Sequence, residues 1–100
     1  MDLSHLSDLV DQVSQTYVAK YGIERTDEWF LLKLQEEMGE LVQAYLMKNG
    51  QARKKGLSEK QIEENFQAEV VDVFCHVLLL AKHSGVKLEN GVEKKWFSKI

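Results

Sequence analysis

The sequence predicts an all-α protein, a bundle of four to five helices forming one domain over residues 1–100. Apolar residues recur at spacings of three and four through most of the chain, the period of an amphipathic helix. Proline is absent, and most of the six glycines fall between the periodic stretches. No alternating apolar run bounded by hairpin turns, no internal repeat and no low-complexity tract occurs.

Leu3, Leu6, Val10, Val13, Tyr17 and Tyr21 share one face of a first helix that ends near Gly22. Thr26 or Asp27 caps a second helix over residues 28–48, with Asp27 and Glu28 near its positive end. Its apolar stripe is Leu31, Leu34, Met38, Leu41, Val42 and Tyr45. The linker NGQARKKGL follows, and Ser58 with Gln61 is the capping-box pattern that opens a third helix over residues 59–84. Within it, VVDVFCHVLLLA places apolar groups at nearly every angle, which predicts burial on all sides. Residues 87–100 read as a fourth helix, interrupted by Gly91, with Leu88, Val92, Trp96 and Ile100 on one face.

At 100 residues the core is thin, and association with further copies is expected to complete it. Thirteen basic against sixteen acidic residues give a net charge of −3, which argues against a nucleic acid polymer as partner. The single cysteine, Cys75, forms no intrachain disulfide, and the start MDLSHLSDLV lacks the pattern of a secretion signal. The longest apolar run, residues 77–81, falls far short of the roughly 18–20 residues that cross a bilayer. A soluble, cytoplasmic protein with no membrane partner is the expectation.

Glu36, Glu37 and Glu40 lie in LQEEMGELV, where Glu37 and Glu40 are one helical turn apart. Alone they describe an ordinary solvated face. Glu69 and Asp72 repeat the spacing, and Asp72 is flanked by Val70, Val71, Val73 and Phe74. A buried carboxylate in that setting needs a basic partner, for which His76 is the candidate within the helix, or a cation. Two helices each presenting such a pair aim four carboxylates at one gap, an arrangement suited to a metal ion. Zinc sites favour Cys or His, and the Glu-x-x-His pairs of ferritin-like sites are absent. An all-oxygen set therefore suits Mg²⁺, with Mn²⁺ as a substitute. Such cations handle phosphates, which points to phosphoryl chemistry.

These motifs resemble the MazG-like all-α nucleotide pyrophosphohydrolases, whose pattern is EExxE followed by ExxD. Here Glu36, Glu37 and Glu40 precede Glu69 and Asp72 by a gap of 28 residues, at the long end for the family. The similarity runs from about Trp29 to the C-terminal end and includes the closing EKKWFSK. It implies Mg²⁺-dependent hydrolysis of a nucleoside triphosphate to monophosphate and pyrophosphate, in a homodimer or dimer of dimers. By position it implies Glu37, Glu40, Glu69 and Asp72 as metal ligands, and Glu36 as a catalytic carboxylate that orients water or helps to hold another ion. It also implies Lys95 and Lys99 as phosphate contacts, although Glu93 and Lys94 stand where the family often has an asparagine. Lys33, one turn before Glu37, is a further substrate contact. A related branch, phosphoribosyl-ATP pyrophosphatase, shares the Lys33 to Glu37 spacing and a histidine at the place of His76, and stands as the alternative enzyme. A non-enzymatic helical oligomerisation or binding module is the alternative outside the enzymes.

Phe30 and Trp96 read as core, and Trp29 either as core or as a face on which a substrate base stacks. Arg53, Lys54 and Lys55 read as a solvated loop, Cys75 as an inert apolar residue and His76 as a buried hydrogen-bonding group. Gly39, inside a helix, is expected where another helix approaches closely.

Overall fold

The computed structural model describes residues 1–100 and contains no strand. Its helices are α1 (Leu3–Tyr21), α2 (Asp27–Lys48), α3 (Glu59–His83) and α4 (Leu88–Lys95), followed by a 3₁₀ turn at Phe97–Lys99. The expected caps form. Thr26 accepts from the Trp29 amide, and Ser58 and Gln61 bond reciprocally at 3.1 and 2.9 Å. Asp2, which periodicity does not reveal, caps α1 through the His5 amide. α1 stops at Gly22, whose φ of 64° is a left-handed conformation that a side chain would strain.

α2 and α3 form an antiparallel hairpin. Asp27 at the start of α2 meets His83 at the end of α3 at 2.7 Å, and Lys48 at the end of α2 meets Glu63 near the start of α3 at 2.8 Å. Phe30 locks the first of these ends. It is 3% exposed, stacks on the His83 ring at 4.1 Å, and lies under the Arg25 guanidinium on α1's connection. The rest of the core is Val18, Ile62, Leu78, Leu79 and Ala81.

Only the first part of the apolar stripe of α1 turns inward, where Leu3, Leu6 and Val10 are half-buried. Val13, Tyr17 and Tyr21 are exposed, whereas Ser14 and Val18 are buried. Polar pairs set this orientation, since Arg25 bonds Asp11 at 2.7 Å and Ser14 at 3.2 Å, and Lys82 of α3 bonds Asp8 at 2.7 Å. Asp11, Ser14 and Val18 share a face by their spacing, and that face is drawn inward. The tyrosines pack on each other outside, ring centres 4.9 Å apart.

α1 covers the part of α3 that carries Leu78, Ala81 and Lys82, and burial on all sides is confined to that part. Val70, Val71 and Phe74 remain exposed, as does Asp72 between them. Leu31, Met38, Val42 and Tyr45 of the expected α2 stripe are also exposed, because α2 faces α3 through Phe30, Leu34, Glu37 and Leu41. The fourth helix is shorter than expected. It ends at Lys95 and packs chiefly on the 3₁₀ turn, leaving Trp96 63% exposed instead of in the core. A helix this short, with Gly91 in its middle, carries too little apolar surface to hold itself against the hairpin. Nothing lies within 4 Å of where a Gly39 side chain would begin, so no helix of the same chain approaches there. The radius of gyration, 16.0 Å, exceeds the roughly 13 Å of a compact 100-residue domain. No helix is long and apolar enough to cross a membrane.

Candidate metal centre

The hairpin brings the two acidic pairs together. Carboxylate oxygens of Glu37, Glu69 and Asp72 lie within 4.8 Å of one another, and so do those of Glu36, Glu37 and Glu40. Glu37 belongs to both groups and is the most buried of them, 8% exposed. Its Oε2 and the Oε2 of Glu69 are buried without any hydrogen-bond partner. Each orphaned oxygen costs about 1–3 kcal/mol, which the fold tolerates at very few places.

The electrostatics carry the same strain. Burial and the neighbouring carboxylates of Glu40 and Asp72 push Glu37 up to about 7. Burial and the charges of Glu40 and Asp72 also raise Glu69. The chain supplies one ammonium against this charge. Lys33 Nζ lies 2.9 Å from Glu36 Oε1 and 4.0 Å from Glu37 Oε1, and the bond to Glu36 raises the Lys33 pKa.

His76 is not the hydrogen-bonding group expected, since its nearest charged neighbour lies beyond hydrogen-bond distance. Its Nε2 lies 3.8 Å from Glu37 Oε1, and no hydrogen bond joins it to Asp72, which is exposed. Burial, then the Lys33 charge, lowers the His76 pKa and favours the neutral ring. The signal for this contact was the spacing Glu69, Asp72, His76, which repeats one face of α3. The half-buried Trp29 lies beyond, its ring 6.4 Å from that of His76. Trp29, Lys33, Glu37 and Glu40 thus follow one side of α2, with about 12 Å of helix rise from Trp29 to Glu37.

Lys95 and Lys99 do not join this constellation. They lie on α4 and the 3₁₀ turn, and the Lys99 ammonium sits over the Trp96 ring at 5.5 Å. Arg53, Lys54 and Lys55 are exposed in the loop between α2 and α3. Burial and the Asp72 charge raise the Cys75 thiol, which makes it a poor nucleophile.

The donor set fits a hard divalent cation. All the clustered donors are carboxylate oxygens, two of them lack any other partner, and the accumulated negative charge is answered by a single lysine. No family model, curated protein or solved structure matches the chain.

Proposed function

We propose that this protein is a nucleotide pyrophosphohydrolase of the MazG-like kind, using Mg²⁺, or Mn²⁺ in its place, to hydrolyse a nucleoside triphosphate to monophosphate and pyrophosphate. One observation carries it above all: Glu37 is buried between two helices with an unpartnered oxygen, among other carboxylates. When bound, the cation neutralises phosphate oxygens and lowers the pKa of water at the site. Glu37, Glu69 and Asp72 would hold one cation, and Glu40, with Glu36 and Glu37, the adjoining position. Lys33 places an ammonium beside the phosphates, and Glu36, at the edge of the gap, orients water or joins a further cation. Water adds to a phosphorus as the α–β anhydride bond breaks. Trp29, about two turns of α2 from Glu37, offers a flat face to the base.

The exposed apolar residues support a homodimer or dimer of dimers. Leu31, Met38, Val42 and Tyr45 follow one flank of α2, and Met38 is about 100° round the helix from Glu37. With Val70 and Phe74 of α3 they form a surface that a second copy covers while the acidic side stays open.

The test is pyrophosphate release from a panel of NTPs, dNTPs and phosphoribosyl-ATP, with Mg²⁺ and with chelator, followed by product identification. Monophosphate and pyrophosphate formed only with metal is the expected result. Turnover of phosphoribosyl-ATP alone would assign the related pyrophosphatase activity. Silence across the panel, without any cation-linked rise in melting temperature, would leave the helical binding module.

A further inference from the structure

Two three-carboxylate groups share Glu37, and the chain treats them unequally. The group formed with Glu69 and Asp72 contains both orphaned oxygens and no basic side chain within ion-pair distance of Glu69 or Asp72. The group formed with Glu36 and Glu40 already has a cation beside it, the Lys33 ammonium at 2.9 Å from Glu36 and 4.0 Å from Glu37. Lys33 is 22% exposed at its side chain, so water screens it only in part. From α3, His76 lies 3.8 Å from Glu37 and is the other nitrogen at this edge.

We propose that Lys33 is a built-in counter-ion that makes cations enter the centre in order. The Glu37, Glu69 and Asp72 position fills first. The Glu36, Glu37 and Glu40 position fills tightly only when an anionic phosphate draws the ammonium off Glu36. A cation entering that second position otherwise meets a like charge within a few ångströms and must displace an existing ion pair. The ammonium then transfers to phosphate oxygens, so the lysine that guards the second position becomes a substrate contact once it is occupied. This rests on the metal-centre reading above.

Calorimetric and paramagnetic-resonance titration with Mn²⁺ alone tests it, on the full chain and on Lys33→Met, which keeps the length of the stem. Lys48→Met, removing the ammonium paired with Glu63 at the far end of the hairpin, controls for net charge. The wild-type protein is expected to bind one Mn²⁺ tightly and a second about tenfold or more weakly. K33M should tighten the second about tenfold with little effect on the first, and K48M should change neither. Inorganic pyrophosphate should narrow the difference between wild type and K33M. The proposal is overturned if K33M leaves the second Mn²⁺ as weak or absent as in wild type, or tightens both equally. Wild-type protein that binds no Mn²⁺ would instead overturn the metal centre itself. Should K33M fail to fold, Glu36→Gln tests the same order, since it should weaken the second Mn²⁺ and spare the first; an equal loss at both would overturn the proposal.

Discussion

Glu37 on α2 and Glu69 on α3 place carboxylate oxygens within 4.8 Å of each other across the hairpin, and each keeps one oxygen buried and unpartnered. Two like charges meeting inside a helix interface oppose folding. The fold therefore carries a penalty that protonation or a cation removes.

The protonation route gives a pH dependence. Glu37 is raised from 4.5 to about 7, so between those values the folded chain binds a proton that the unfolded chain has lost. Stability from this group is then lost as pH rises through the window, by up to about 3 kcal/mol. His76, whose pKa is lowered, works in the opposite sense near its ordinary value of 6.5. Comparison with Glu37→Gln isolates the glutamate. Without metal, denaturant melts should find E37Q increasingly more stable than wild type from pH 4.5 to 8, and a constant difference would contradict the buried charge.

The cation route gives a ligand dependence. Mg²⁺ or Mn²⁺ at a hundred times its dissociation constant should stabilise the wild-type fold by about 2.7 kcal/mol at pH 8. The gain should shrink toward pH 5, where protons compete for the raised carboxylates. E37Q should lose most of the gain in melting temperature and its metal-dependent turnover while remaining folded.

Phe30 joins α2 to the end of α3 and to Arg25, so Phe30→Ala should cost about 3–5 kcal/mol. Trp96, exposed beyond α4, should cost the single chain about 0.5 kcal/mol or less on replacement by alanine. Equilibrium denaturation of both variants measures the contrast, and equal costs would contradict the observed packing of the C-terminal segment.

Arg25 holds α1 through Asp11 and Ser14. Burial alone would raise Asp11, but bonds from Arg25 and Gln15 and the charges of Arg25 and Lys82 outweigh it and leave it lowered. Arg25→Ala should cost about 1–3 kcal/mol and speed amide exchange in α1 before α2 and α3. Uniform exchange across the three helices would show that α1 is held by other contacts.

The apolar flank of α2 predicts assembly. Met38→Glu with Val42→Glu should convert the oligomer to a monomer in light scattering, with the helical signal in circular dichroism retained. A monomeric wild-type protein would contradict this face as an interface.

The helices α1 to α3, the stop of α1 and the starts of α2 and α3 were legible because their causes are local. Thr26, Ser58 with Gln61, and Gly22 act within a few residues of themselves, and the acidic i, i+3 spacing puts carboxylates on one side of each helix wherever that helix lies. Tertiary structure alone decided which side faces inward. The pairs Arg25 to Asp11 and Lys82 to Asp8 join residues 14 and 74 positions apart and hold α1 with Val13, Tyr17 and Tyr21 outward, while Leu3, Leu6 and Val10 stay half-buried. The reach of α1 left Val70, Asp72 and Phe74 uncovered, contrary to their apolar surroundings in sequence, and His76 met Glu37 across the hairpin. Periodicity records how apolar each face is; burial depends on which partner arrives, and here distant charges position that partner as much as apolar area does.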